Sequence, residues 1–264
     1  PSLIKQQINQ NFINIIPSGA ITKNLEGLEL TNFKALKDAG VKALTDDGKP
    51  IMNADLMKEA LILAKEHNLL IMQHAEDLDL SHGASLSFGT ISQKLNLQGQ
   101  DPNSEGVMVE RDIDLVRQTG GRYHVLHIST QRALNAVRQA KLENLPVTCE
   151  VTPHHYLLTE DLCLSQDTNF KMNPPLRSRT NQEAVLKALV DGTIDAVASD
   201  HAPHSEEEKS CHFCDAPFGV VGLETAFASL LTLVNKRIIS LDRAIFLMTE
   251  GPRKILGLSE EEYN

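Results

Sequence analysis

The sequence predicts an α/β fold: a TIM-like (β/α)8 barrel of parallel strands, lacking about its first two β/α units, in a single partial domain over residues 1–264. Three observations carry this expectation. Short runs rich in Val, Ile and Leu alternate with segments of helical periodicity, which implies parallel strands joined by right-handed crossovers. Five of the runs end in Asp or His before a polar loop, and a closed barrel gathers all its strand ends around one mouth. An open doubly wound sheet would show a glycine-rich phosphate turn after an early strand, and none is present.

In chain order, strands are expected at 12–16, 41–44, 69–73, 123–127, 147–151 and 194–198. Six strands fall two short of eight. Between them, Leu30, Phe33 and Leu36 form a helical stripe stopped by Gly40, and Leu56, Ala60, Leu63 and Ala64 form another, with Asn53 as N-cap. Val109, Ile113 and Val116 mark a helix ending at Gly120-Gly121, and Leu134, Val137 and Ala140 mark one ahead of Pro146. Val185, Leu186 and Leu189 precede Asp191-Gly192, and the most apolar stripe is Leu223, Ala226, Phe227, Leu230 and Val234. A last helix is expected over 242–256, interrupted near Gly251-Pro252.

A net charge of −10 on 264 residues argues against binding a phosphate backbone, although a small anionic substrate needs only a local basic pocket. No apolar run approaches the roughly 20 residues needed to cross a bilayer, so a soluble, cytoplasmic protein with no membrane or nucleic-acid partner is expected. Cys149, Cys163, Cys211 and Cys214 are too few and scattered for a disulfide scaffold. Cys211-His212-Phe213-Cys214 is a lone C-x-x-C in a polar loop and reads as variable loop residues rather than a zinc knuckle.

A divalent metal such as zinc wants imidazole nitrogens and carboxylate oxygens on a rigid frame. Asp47, His74, His127 and Asp200 offer these from four strand ends. His124 precedes His127 by three residues, so on a strand the two point to opposite faces, and the strand-end position favours His127. Asp46 and Asp47 are adjacent, and Asp47 is the expected ligand. Of His154-His155, one reads either as a partner fixing a ligand's tautomer or as structural. K-M-N-P-P-L-R (Lys171 to Arg177) offers donors suited to a carboxylate or ring carbonyl, or else is a proline-shaped loop with a surface ion pair. S-E-E-E-K at Ser205 reads as a solvated charge run, and A-P-F-G at Ala216 either presents backbone groups to a ligand or turns into a helix.

Taken together, T-D-D-G at Thr45, Q-H-A-E-D at Gln73, H-V-L-H-I-S-T at His124, E-V-T-P-H-H at Glu150, K-M-N-P-P-L-R at Lys171, D-H-A-P-H at Asp200 and A-P-F-G-V-V-G-L-E-T at Ala216 resemble the bacterial class I dihydroorotases of the amidohydrolase superfamily. The resemblance runs through nearly the whole chain in order. D-H-A-P-H is shared with hydantoinases and allantoinases, whereas K-M-N-P-P-L-R with T-D-D-G is more specific. The resemblance implies a metal-dependent hydrolase barrel with one or two zinc ions. It would reversibly cyclise N-carbamoyl-L-aspartate to L-dihydroorotate in pyrimidine biosynthesis. By match of motif, Asp47 resembles an aspartate bridging two metals, His74 and His127 the two imidazoles on one metal, and Asp200 a ligand to the other that doubles as general acid/base. Asn173, His204 and the Phe218-Gly219 backbone resemble substrate contacts. A homodimer, or association with aspartate carbamoyltransferase, is the partner state the resemblance allows.

The family's H-x-H metal pair, the arginine after it and an asparagine at the next strand are not found, and neither is its outer β-domain. With no initial Met, this suggests a truncated chain whose 264 residues are expected to be inactive alone. Two other readings stay open: another cyclic amidohydrolase (hydantoinase or allantoinase), or a non-catalytic scaffold subunit of aspartate carbamoyltransferase. Retention of Asp47, His74, His127 and Asp200 speaks against the scaffold, which needs none of them.

Overall fold

The computed structural model describes residues 15–259. Its main sheet has five parallel strands, β1 (Ala43–Leu44), β2 (Leu70–Gln73), β5 (Arg122–Val125), β6 (Val147–Val151) and β7 (Ala196–Val197), and spatial order follows chain order. A sheet wound in one direction never reverses, so all its carboxyl ends gather on one side, as the barrel reading requires. Two further strands, β3 (Leu86–Ser87) and β4 (Gly99–Gln100), form a separate small parallel sheet that the sequence pattern does not signal.

Between strands lie α1 (Phe33–Asp38), α2 (Ala54–Glu66), α3 (Leu78–Ser81), α4 (Thr90–Leu95), α5 (Asn103–Thr119), α6 (Gln131–Leu142), α7 (Pro153–Leu157), α8 (Arg179–Asp191), α9 (Glu206–Lys209), α10 (Ala226–Asn235), α11 (Leu241–Met248) and α12 (Glu250–Leu256). Asn53 caps α2 as expected, its side chain accepting from Asp55 N at 2.9 Å and Leu56 N at 3.1 Å. The interruption expected near Gly251-Pro252 in the last helical segment falls at Thr249 (φ −131°, ψ −83°), two residues before Gly251. Pro252 sits in the first turn of α12, where a missing N–H breaks no helical hydrogen bond.

The two faces of each strand are buried differently. Leu44, Ile71, Tyr123, Val125, Val147, Cys149, Val151 and Val197 pack in the main core with apolar side chains of the surrounding helices. On the other face Ala43, Leu70 and Ala196 pack with Ile255 of α12. Register places His124 beside Met72 and Thr148 on this second face, where its Nδ1 lies 2.8 Å from Thr148 Oγ1 and its Nε2 3.3 Å from Glu150 Oε2.

The strand expected at 12–16 lies mostly outside the described residues. The segment that does run beside β1 is centred on Gly19, bridged in parallel to Leu44, with Gly19 N donating to Ala43 O at 2.9 Å and Thr45 N to Gly19 O at 2.8 Å. A Cβ at Gly19 would lie 2.9 Å from Leu44 Cδ2 and 3.0 Å from Leu36 Cδ1, so a larger residue there would make these leucine side chains shift. At the other end of the sheet, His201 bridges Val220 in parallel and carries the arrangement beyond β7.

Ile71, fully buried in the middle of β2, tests this packing. Ile71→Ala should cost about 2–5 kcal/mol in urea unfolding, whereas Leu28→Ala, at a side chain 77% exposed, should stay within about 0.5 kcal/mol of the parent.

Candidate metal centre

The turn after β1 splits its two aspartates between different tasks. Asp46 is buried and accepts from Ile21 N (2.8 Å), Thr22 N (3.1 Å) and the Thr22 hydroxyl, pinning the turn against the preceding segment. Asp47 is left projecting into a cavity of about 240 Å³. His74 follows β2 directly, and His127 lies two residues beyond β5. One side-chain donor atom from each of Asp47, His74 and His127 lies within 4.8 Å of the other two. His74 Nδ1 stands 3.0 Å from His127 Nε2, and Asp47 Oδ1 lies 3.8 Å from the first and 3.5 Å from the second.

The tautomer of His74 follows from its other side. Its Nε2 is 2.9 Å from Glu76 Oε2, a carboxylate that can only accept, so Nε2 carries the proton and Nδ1 presents a lone pair to the cluster. Glu76 also accepts from Asn173 Nδ2 at 2.8 Å, and Asn173 Oδ1 accepts from Gln100 Nε2 at 3.1 Å. Burial alone would raise the Glu76 pKa, but the hydrogen bonds it accepts, that from His74 foremost, and the nearby His74 charge outweigh it and bring the value down to about 2. The hydrogen bond from His127 holds Asp47 below the ordinary carboxylate range. Burial works against a charge on His127, yet the Asp47 carboxylate lifts its pKa above the usual imidazole value.

His127 has φ +31°, in a region costly for a residue with a side chain, about 1–3 kcal/mol. β5 ends at Val125, so the turn at His127 and not strand alternation sets its direction, and of the two histidines His127 lines the cavity while His124 does not. Asp200 also has positive φ (+47°) and lines the same cavity, but it stands apart from the three-donor convergence. Burial raises the Asp200 pKa. Behind it, His154 Nε2 lies 4.0 Å from Asp200 Oδ2 with no hydrogen-bond partner, and burial pushes the His154 pKa down to about 3, so this imidazole is neutral. His155 braces the loop of Asn173, with Nδ1 2.6 Å from Thr152 Oγ1 and Nε2 3.1 Å from Pro174 O.

Asn173, Phe218 and Gly219 line the cavity with the acidic and imidazole groups. Gly219 has φ +136°, and a Cβ there would meet Ala202 O at 2.5 Å, so glycine is required. Gly219 N donates to Lys171 O at 3.0 Å, and His204 Nε2 donates to Phe218 O at 2.9 Å. His204 therefore braces the Phe218-Gly219 segment and is not among the cavity-lining residues. Arg177 is neither a surface ion pair nor a donor at the mouth: it is buried, with Nε donating to Ser129 Oγ at 3.0 Å. Lys171 is likewise spent, on Cys214 O at 2.6 Å and over the Phe218 ring. Among the described residues, Cys211 and Cys214 join no group of three convergent ligands.

Glu76 was assigned no role from the sequence. Its position two residues after His74, where an extended chain returns to the same side, is the signal that would have found it. The set of two imidazole nitrogens and one carboxylate oxygen, with a second carboxylate behind one imidazole, fits a borderline divalent cation.

The sequence profile of the family described as Dihydro-orotase-like matches residues 3–133. Among curated relatives, the dihydroorotase of Solibacter usitatus (strain Ellin6076) is 45% identical over 257 residues, covering 97% of this chain and 60% of the relative. That of Anaplasma phagocytophilum (strain HZ) is 46% identical over 252 residues, covering 95% and 56%. The chain thus spans about 60% of the length of such relatives. Of solved structures, the L-hydantoinase (dihydropyrimidinase) from Arthrobacter aurescens superposes with TM-score 0.83 at 23% identity, covering 98% of this chain and 60% of that one. The dihydroorotase from Saccharomyces cerevisiae, solved with 5-fluoroorotic acid, gives 0.76 at 16% identity, covering 99% and 72%. At these identities the structural likeness speaks for the fold. No helix of the described residues is long and apolar enough to cross a membrane.

The Glu76 carboxyl carries a pH signature. Its folded-state pKa lies below the ordinary 4.5, so its contribution to stability is full above pH 4.5 and is lost as pH falls towards about 2. Urea unfolding followed across that window should show a shallower acid loss in Glu76→Gln than in the parent chain.

Proposed function

We propose, from the match of residues 3–133 to the dihydro-orotase-like family and the likeness to curated dihydroorotases, that the protein carrying this chain is a zinc-dependent cyclic amide hydrolase that interconverts L-dihydroorotate and N-carbamoyl-L-aspartate. The observation that carries the reading is the convergence of Asp47, His74 and His127 on one wall of a cavity whose other walls bring Asn173 and Asp200. Asp47 Oδ1, His74 Nδ1 and His127 Nε2 would hold the zinc ion. Bound there, zinc supplies Lewis acidity toward the ring carbonyl and toward water.

The chain's own groups then have distinct tasks. Glu76 keeps the His74 proton on Nε2 and the Nδ1 lone pair toward the cluster. Asp200, with a proton affinity raised by burial, takes a proton from the attacking water as the new C–O bond forms. It returns that proton to the ring nitrogen as the C–N bond breaks, so the carboxylate ends the cycle as it began. Asn173 orients the substrate through its side-chain amide, which the Glu76 and Gln100 contacts hold at the cavity wall. Phe218 and Gly219 shape the opposite wall, braced by His204 and Lys171. Soluble, cytoplasmic operation on a small anionic substrate accords with this chemistry.

In the full-length protein, L-dihydroorotate should be opened and hydantoin and allantoin left intact. Removing metal with a chelator should abolish turnover, and zinc should restore it. Asp200→Asn should lower kcat by at least about 100-fold while leaving KM within a few-fold; substantial residual turnover would refute its role as proton carrier. The 264-residue chain alone should be inactive in the same assay.

A further inference from the structure

The stretches that follow His74 and His127 are each held by one of two neighbouring residues of a single helix. At the first turn of α5, Ser104 and Glu105 each grip a different ligand loop. Ser104 Oγ accepts from Asp77 N at 2.9 Å and donates to Asp77 O at 3.0 Å, closing both backbone groups of the residue that follows Glu76. Glu105, buried to 3% exposure, accepts from Ser129 N (3.0 Å), Thr130 N (2.9 Å), Thr130 Oγ1 (2.7 Å) and the Ser129 hydroxyl, two and three residues beyond His127. Arg177, equally buried, closes the set with Nη2 3.9 Å from Glu105 Oε2 and its bond to Ser129 Oγ. Gly106 follows, where a Cβ would meet Arg132 Cδ at 2.5 Å, so its absence lets α5 lie against α6 at this turn.

We infer that Ser104 and Glu105 are positioning residues for the metal centre, a double clamp that holds the loops of His74 and His127 at the separation a single cation needs. The inference rests on the metal-centre reading. A backbone conformation as unfavourable as that of His127 persists only where its surroundings over-determine it. Glu105 supplies that constraint through four donors on Ser129 and Thr130. Arg177 extends the clamp to the stretch that carries Asn173, so ligand loop and substrate loop share one buried ion pair.

The test uses the 264-residue chain and cobalt(II) alone, titrated by its visible ligand-field absorption, with circular dichroism and urea unfolding to establish folding. Glu105→Gln and Ser104→Ala should remain folded and bind cobalt about 10- to 100-fold more weakly with an altered spectrum. The control is Asp112→Asn, on the same helix, where a fully buried carboxylate pairs with Arg111 and Tyr123 away from the cavity. It should lower stability and leave the cobalt affinity and spectrum unchanged. Parental affinity and spectrum in folded Glu105→Gln and Ser104→Ala, or an equal loss in Asp112→Asn, would overturn the clamp while leaving the metal centre standing. Failure of the parent chain to bind cobalt would overturn the metal-centre reading and the clamp with it.

Discussion

Two buried imidazole nitrogens held 3.0 Å apart, with a carboxylate oxygen beside both, are the constraint around which the rest of the molecule is arranged. Facing lone pairs at that distance repel unless a proton or a metal cation lies between them. The protein fixes the polarity of the arrangement from outside: the Glu76 carboxylate claims the Nε2 proton of His74, and the Asp47 carboxylate favours positive charge at His127. The neighbourhood thus favours positive charge at one point, and the groups that create the preference are the ones a divalent cation would bind.

A sheet wound in one direction is what permits it. Asp47, His74, His127 and Asp200 follow four strands whose carboxyl ends lie on the same side, so residues spread over more than half the sequence meet at one cavity. The opposite end is closed by α12, whose Ile255 packs on Ala43, Leu70 and Ala196. Each of three loops at the cavity is then anchored by a buried polar group: Asp46 for the Asp47 turn, Ser104 for the stretch after His74, and Glu105 for the stretch after His127. These anchors compensate for backbone conformations that an isolated strand end would not hold.

What could be read from the sequence divides along the same line. Ligand-type residues at strand ends were legible because apolar runs are local and an Asp or His closing one stands out, as at His74 and Asp200. Arg177 was not, because its partners lie 48 and 72 residues away and its charge reads as exposed until Glu105 is seen beside it. Strand alternation holds only inside a strand, so the direction of His127, past the end of β5 and at positive φ, is set by the turn and not by the period of two. The small β3–β4 sheet has two-residue strands, too short to carry a period of two. The break expected near Gly251-Pro252 falls at Thr249, because Pro252 is tolerated in the first turn of the next helix, where its missing N–H is not needed.

The central claim is that Asp47, His74 and His127 form a cation site with His74 bound through Nδ1. Anomalous diffraction at the zinc absorption edge, from crystals of this chain grown with zinc, tests it most directly. The account predicts a peak within bonding distance of Asp47 Oδ1, His74 Nδ1 and His127 Nε2, with Glu76 still on His74 Nε2. A peak on His74 Nε2 with Glu76 displaced, zinc held instead by Cys211 and Cys214, or no peak in the cavity would contradict it.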